Sequence, residues 1–229
     1  MKLSVSLLLS CYALLLPALI CASPLELRVV DSEGRPLKNA VISSTADSQA
    51  SAAAKVAVMD QRNRTFVPHV LVVQQGSQVS FPNSDNIRHH VYSFSTPKKF
   101  EIKLYSGEPS SPVQFDRPGV VVLGCNIHDS MLGYIYVADG PSYAVSDEQG
   151  RLLLEFDQIP ADDIQFQLWH PQLNRHNQPV KLSYAEIKQA NYRVQLDLAV
   201  PAANERAADT DESPLEKRFR ELRQRRAQP

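Results

Sequence analysis

Cysteine is scarce in this chain, with 3 in 229 residues, and two of the three stand in one N-terminal segment. Cys11 and Cys21 fall in the apolar run LSVSLLLSCYALLLPALICA that follows Met1-Lys2. A positive start, an apolar stretch and a small-residue end are the marks of a secretory signal peptide, here residues 1–22. Pro17 interrupts the run and no cluster of Lys or Arg follows it, which argues against a membrane span and leaves no transmembrane segment in the mature chain. Export, periplasmic or secreted, would leave Cys125 as the one thiol in an oxidising compartment. An intramolecular disulfide framework is then excluded, and the lone thiol must be inert core, a bridge between chains or a metal ligand.

Net charge is equally lacking. Lys and Arg total 24 against 25 Asp and Glu, a formal charge of -1 that becomes -2 once Lys2 leaves with the signal segment. Nothing in that balance draws the molecule as a whole toward nucleic acid or anionic lipid, so partners must be recognised locally. No glycine-rich phosphate loop, nucleophile–base pair or close carboxylate pair stands out, so hydrolase and nucleotide chemistry lack support and the chain does not read as an enzyme. Helical periodicity is also sparse. Short apolar runs and 16 prolines favour an all-β sandwich architecture.

Along the chain, Leu25 to Val30 alternate apolar and polar, Asp31-Ser32-Glu33-Gly34 supplies a turn, and Pro36 to Ile42 restarts a strand. This N-terminal hairpin and the small, polar stretch that follows occupy residues 23–55. Residues 56–138 carry dense strand signals: HVLVV, QVSF, HHVYSF, GVVVLGC and GYIYVAD, with β-branched and aromatic residues at the spacing of an antiparallel sandwich. Residues 139–200 add YAVSDEQGRLLLEF, IQFQLWHP and RVQLDLAV as three further strands. The tail, 201–229, is charged and poor in apolar residues, which suits a disordered segment or a short helix. Ser213-Pro214-Leu215-Glu216 matches a capping box there, and the arginines beyond it could dock weakly on a membrane or an acidic protein.

The chemistry concentrates in Cys125-Asn126-Ile127-His128-Asp129-Ser130-Met131, a loop between two strands. A thiolate, an imidazole and a thioether in seven residues form a soft to borderline donor set, suited to copper and unsuited to magnesium, calcium or manganese. Two intervening residues let the chain turn back and aim Cys125 and His128 at one point. A further ligand should come from a neighbouring strand, and Arg88-His89-His90-Val91 offers two imidazoles, of which one can reach a common centre because adjacent strand residues face opposite ways. Two His, one Cys and a weak axial Met are the ligands of blue copper electron-transfer sites. Ligation needs neutral imidazoles and a thiolate, so acid competes with the metal.

At these residues the segment resembles a cupredoxin, a small blue copper protein of the amicyanin and plastocyanin kind. The spacing C-x2-H-x2-M is that of amicyanin, and Phe66-Val67-Pro68, Gly76, Val79, Phe81 and N-S-D-N-I-R-H-H-V fit the cupredoxin pattern upstream. The resemblance covers residues 60–138 and extends to exported proteins of the methylamine utilization type. It implies a Greek-key β-sandwich holding one type 1 copper at His89, Cys125, His128 and Met131, with His90 as the alternative to His89. A one-electron carrier follows, serving a periplasmic partner such as a cytochrome or a dehydrogenase. Two residues depart from the pattern. Gly124 stands where plastocyanin-like proteins have Tyr, so an electron route through that side chain cannot be carried over, and His90 replaces an Asn that normally ties the ligand loops together.

VVDSEGRPLKNAVI and the strands after Gly140 resemble a transthyretin-like or carboxypeptidase-regulatory-like sandwich. The expectation is a split sandwich, residues 24–45 with 140–200, carrying the copper domain as an insert; a continuous extended sandwich is the alternative. Two other functions stay open: copper binding or delivery without a redox role, and a glycan- or protein-binding sandwich whose copper site is structural. Zinc competes for the same ligands. Arg88, Asp85 and Asp129 flank the donors and read as solvated loop charges. His69, His170 and His176 read as non-ligands, the latter two as surface loop residues, and Trp169 as core.

Overall fold

The computed structural model describes residues 24–45, 56–109, 111–156, 160–173 and 178–198. The expected signal peptide, the tail with its expected capping box, and His176 lie outside the described residues. In chain order the first strands are β1 (Leu25–Val30), β2 (Val41–Ser44), β3 (Val56–Val58), β4 (Asp60–Arg62), β5 (Thr65–Val67) and β6 (Val70–Gln74). Next come β7 (Ser77–Ser80), β8 (His89–Ser93), β9 (Phe100–Tyr105), β10 (Val113–Phe115), β11 (Gly119–Gly124) and β12 (Leu132–Ala138). The last are β13 (Tyr143–Val145), β14 (Arg151–Leu154), β15 (Gln165–Trp169), β16 (Val180–Ser183), one helix α1 (Tyr184–Gln189) and β17 (Arg193–Gln195). The chain is nearly all β, as its composition led one to expect.

A five-stranded sheet, β6-β12-β11-β8-β9, is the centre of the molecule. Its strand β12 is apolar at nearly every position because it is covered on both faces. Ile135 and Val137 point into one core with Val121, Leu123, Phe66, Phe81 and Phe115, which the small sheet β10-β7-β3 helps close. Tyr134, Tyr136 and Ala138 point the other way, into a second core with Val41, Ile42, Leu152, Phe166, Leu168 and Trp169. The period of two along β12 thus distributes its side chains between two cores.

That second core belongs to the strands at either end of the chain. β1 pairs with β14 and, in parallel, with β17; β2 pairs with β13 and β15, and β16 extends the same sheet. Residues 56–138 enter and leave this sandwich near Ser44 and Gly140. The two are pressed together so closely that a Cβ on Gly140 would lie 2.1 Å from the Ser44 carbonyl oxygen, which only glycine permits. Ser44 N–H donates to the Ser142 carbonyl at 2.8 Å, fastening the same point.

Several details differ from the sequence reading. The sheets are mixed rather than antiparallel: β12 pairs with β6, β3 with β7 and β1 with β17 in parallel. Strand composition reports burial, not direction, and these pairings join segments far apart in the chain. YAVSDEQGRLLLEF makes two strands, split by a turn in which Asp147 accepts from the Gln149 and Arg151 amides. A helical turn, α1, lies between the last two expected strands, where no element was expected, held by a capping box between Ser183 and Glu186. His170 is not a surface residue: it is buried, its Nε2 donates to the Lys38 carbonyl at 3.0 Å and its Nδ1 accepts from the Gln172 amide at 3.2 Å.

Candidate metal centre

Cys125 directly follows β11 and continues its alternation onto the face that Val121 and Leu123 already occupy, which carries the thiol into the core around Ile135 and Phe81. It is 4% exposed. The β11–β12 register closes with Gly124 opposite Leu132, which makes residues 125–131 the loop joining the pair. Within it, Met131 N–H donates to the His128 carbonyl at 2.9 Å, folding the loop back on itself. Met131 is buried in the same apolar cluster as Cys125, whereas His128 is only partly buried.

His89 opens β8, the neighbour of β11, and is fully buried. Its Nδ1 lies 3.9 Å from Cys125 Sγ, and His128 Nδ1 lies at the same distance from that sulfur. Donor atoms of all three residues fall within 4.8 Å of one another, the one such grouping among the described residues. First-row ions sit roughly 2.0 Å from imidazole nitrogen and 2.3 Å from thiolate sulfur, so a shared ion would hold S and N roughly 3.6–3.8 Å apart. The observed spacing needs only a slight contraction. The donor set therefore fits a copper or zinc ion, held by His89, Cys125 and His128 with Met131 at hand.

Which nitrogen of His89 faces the sulfur is set behind the ring. Nε2 lies 2.7 Å from Asp85 Oδ2, and a proton donated there leaves Nδ1 as the free lone pair. Asp85 is itself fixed, accepting from the Asn63 amide at 2.6 Å and the Arg64 amide at 2.9 Å. Those two residues form the β4–β5 turn with φ of 52° and 57°, a left-handed pair whose amides converge on one point. Burial works against charge on Asp85, but the Arg64 amide, the His89 ring and the Asn63 amide more than offset it and hold the carboxyl below its ordinary range. Asn83 braces the same loop, its side-chain amide donating to the Ile87 and Tyr105 carbonyls at 2.9 and 3.0 Å.

His90 turns the other way. Its Nε2 meets Glu101 Oε1 at 2.8 Å and its ring centroid lies 5.7 Å from that of Tyr92, on the face away from Cys125. His69 is exposed beyond β5, its ring set edge-on to Tyr134.

Two contributors are not evident from the sequence. Asp85 is no solvated loop charge, for its side chain is only 13% exposed; the signal was its position four residues before His89. Tyr92 stands opposite Gly124 in the β8–β11 register. A Cβ at Gly124 would fall 2.7 Å from Tyr92 Cζ, so the ring fills the space left by the missing side chain.

No protein-family model and no curated protein matches the chain. Among solved structures it is similar over 42% of its length to a copper-containing nitrite reductase (NirK) from Thermus scotoductus SA-01, at 24% identity and a TM-score of 0.35, spanning 25% of that chain. A mutant amicyanin in its reduced Cu(I) form matches 42% of this chain and 97% of its own, at 20% identity and a TM-score of 0.34. A purple cupredoxin from Nitrosopumilus maritimus matches 37% of this chain and all of its own, at 19% identity and a TM-score of 0.32. Each likeness is to part of the chain, and the chain as a whole is a β protein with a His-Cys-His grouping, two of its residues buried and His128 partly so, at the end of its central sheet.

Proposed function

We propose that this is an exported type 1 copper protein and one-electron carrier, in which His89, Cys125 and His128 would be the strong ligands and Met131 the weak fourth. The observation that carries the reading is the convergence of two imidazole Nδ1 atoms on one buried thiol, each at 3.9 Å. Bound copper would supply a Cu(II)/Cu(I) couple. The residues do the rest: Asp85 fixes the His89 tautomer, the apolar cluster around Cys125 excludes water, and the strand ends hold the donors so that little needs to move between oxidation states. With Met131 the protein fills the coordination shell, which suits electron transfer better than a reaction requiring an open position.

His128 is the ligand nearest solvent, and Ile127 and Leu132, 52% and 42% exposed, lie beside it in sequence as an apolar rim for partner contact. The N-terminal segment supports export, and the donor loop supports kinship with methylamine-utilization-type cupredoxins serving a cytochrome or dehydrogenase. The test is Cu(II) titration followed by visible and paramagnetic resonance spectra and voltammetry. An intense blue band, absent in Cys125→Ser, with a reversible one-electron wave is expected. A colourless copper complex, or copper that exchanges rapidly with chelators and gives no wave, would replace the carrier with a delivery protein.

A further inference from the structure

We infer that the outer face of β8 and β9 is a second electron-transfer port, built by Tyr92 and Phe94 and fitted to a redox protein with an acidic surface. The inference rests on the copper reading above. Tyr92 packs against the backbone of Gly124, the residue bonded to Cys125, so closely that Gly124 could carry no side chain: a Cβ there would be 2.7 Å from Cζ and 2.8 Å from the hydroxyl. From Cys125 Sγ the path to the ring runs through one residue of covalent chain and one packed contact. The Phe94 ring follows, 5.2 Å from that of Tyr92 between centroids, and it is 80% exposed. The two rings together offer an aromatic stripe that leads from Gly124 out to solvent.

The charges around this stripe decide the partner. Tyr92 pairs with Glu101 on β9, so Glu101 and, by alternation, Lys103 share its face, and Lys99 stands just before the start of the same strand, next to Phe100. Glu101 is engaged by His90 at 2.8 Å. Lys99, Lys103 and Arg88 are exposed and take part in none of the salt bridges among the described residues. The face is thus aromatic at its centre and basic at its edge, while the rim beside His128 is apolar. Two ports of different chemistry would let one electron enter from one partner and leave to another: the donor is oxidised as the site is reduced, and the acidic partner is reduced as the site is reoxidised, with no bond made or broken.

The first test reads binding without any metal. Hexacyanochromate(III), a redox-inert paramagnetic trianion, is added to the metal-free protein, and amide line broadening is mapped. Broadening at Phe94, Lys99 and Lys103 that is lost in the Lys99→Glu/Lys103→Glu variant is expected; broadening confined to residues 126–132 would overturn the port. The second test follows oxidation of the reduced copper protein by hexacyanoferrate(III). Tyr92→Leu should react several-fold more slowly with its broadening map and visible spectrum unchanged, Tyr92→Phe should match the parent, and Lys99→Glu/Lys103→Glu should lose about tenfold at low ionic strength, a gap that closes with salt. Unchanged rates in Tyr92→Leu would sink this inference alone, because the intact blue band keeps the copper reading standing. Failure of the parent to turn blue would sink both.

Discussion

At the scale of single residues, the donor loop was legible because everything it needs is local: Cys125, His128 and Met131 lie within one turn-back of the chain. His89 was legible by pattern and by the alternation that points it and His90 to opposite faces. Asp85 was not, since a carboxylate in a polar loop looks solvated until the fold delivers two amides and an imidazole to it. Tyr92 was harder still, because its meeting with Gly124 depends on cross-strand register. Asp85→Asn tests the imidazole clamp. It keeps the shape but weakens the acceptor, so copper affinity should fall by about ten- to a hundredfold, measured by chelator competition, while the apo fold is retained.

At the scale of elements, the runs GVVVLG and YIYV announced strands, but not that β12 is covered on both faces or which cores it serves. The partition became visible only in three dimensions, with Tyr134 and Tyr136 against Trp169 at ring distances of 5.3 and 6.0 Å. Trp169→Ala would open a cavity at that seam and should cost about 3–5 kcal/mol in chemical denaturation, although residue 169 belongs to the other core from Cys125 and Met131. The short helix α1 was overlooked for a definite reason. Six residues are too few to show helical periodicity, and the S-x-x-E cap at Ser183 and Glu186 precedes no apolar run long enough to mark a helix start.

For the whole molecule, the cores meet across one sheet, so acid should act on the assembly rather than on the Cys125 end alone. Burial lowers the pKa of His170 below its ordinary 6.5, and the nearby His69 adds to this against the opposing hydrogen bond to the Lys38 carbonyl. The unfolded chain therefore binds this proton more readily than the folded one. Above about pH 6.5 neither state is charged and nothing is lost; as pH falls through that value, stability declines until the folded ring also protonates. Urea midpoints of the metal-free protein, compared between about pH 7.5 and about pH 5.5 so as to bracket that range, should drop, and the drop should shrink in His170→Gln. A midpoint that stays level in the parent would rule this out.

The clasp between Ser44 and Gly140 brings the two flanks of residues 56–138 to one place, an arrangement that invites a molecular biologist to cut there and keep the piece with Cys125. Such a fragment, residues 56–138, would emerge with Val70, Val120, Tyr134 and Tyr136 stripped of their cover. It should elute as oligomers in size-exclusion chromatography, and Tyr134→Thr/Val120→Lys should return it to a monomer. What holds the parent chain in one piece would then become an adhesive.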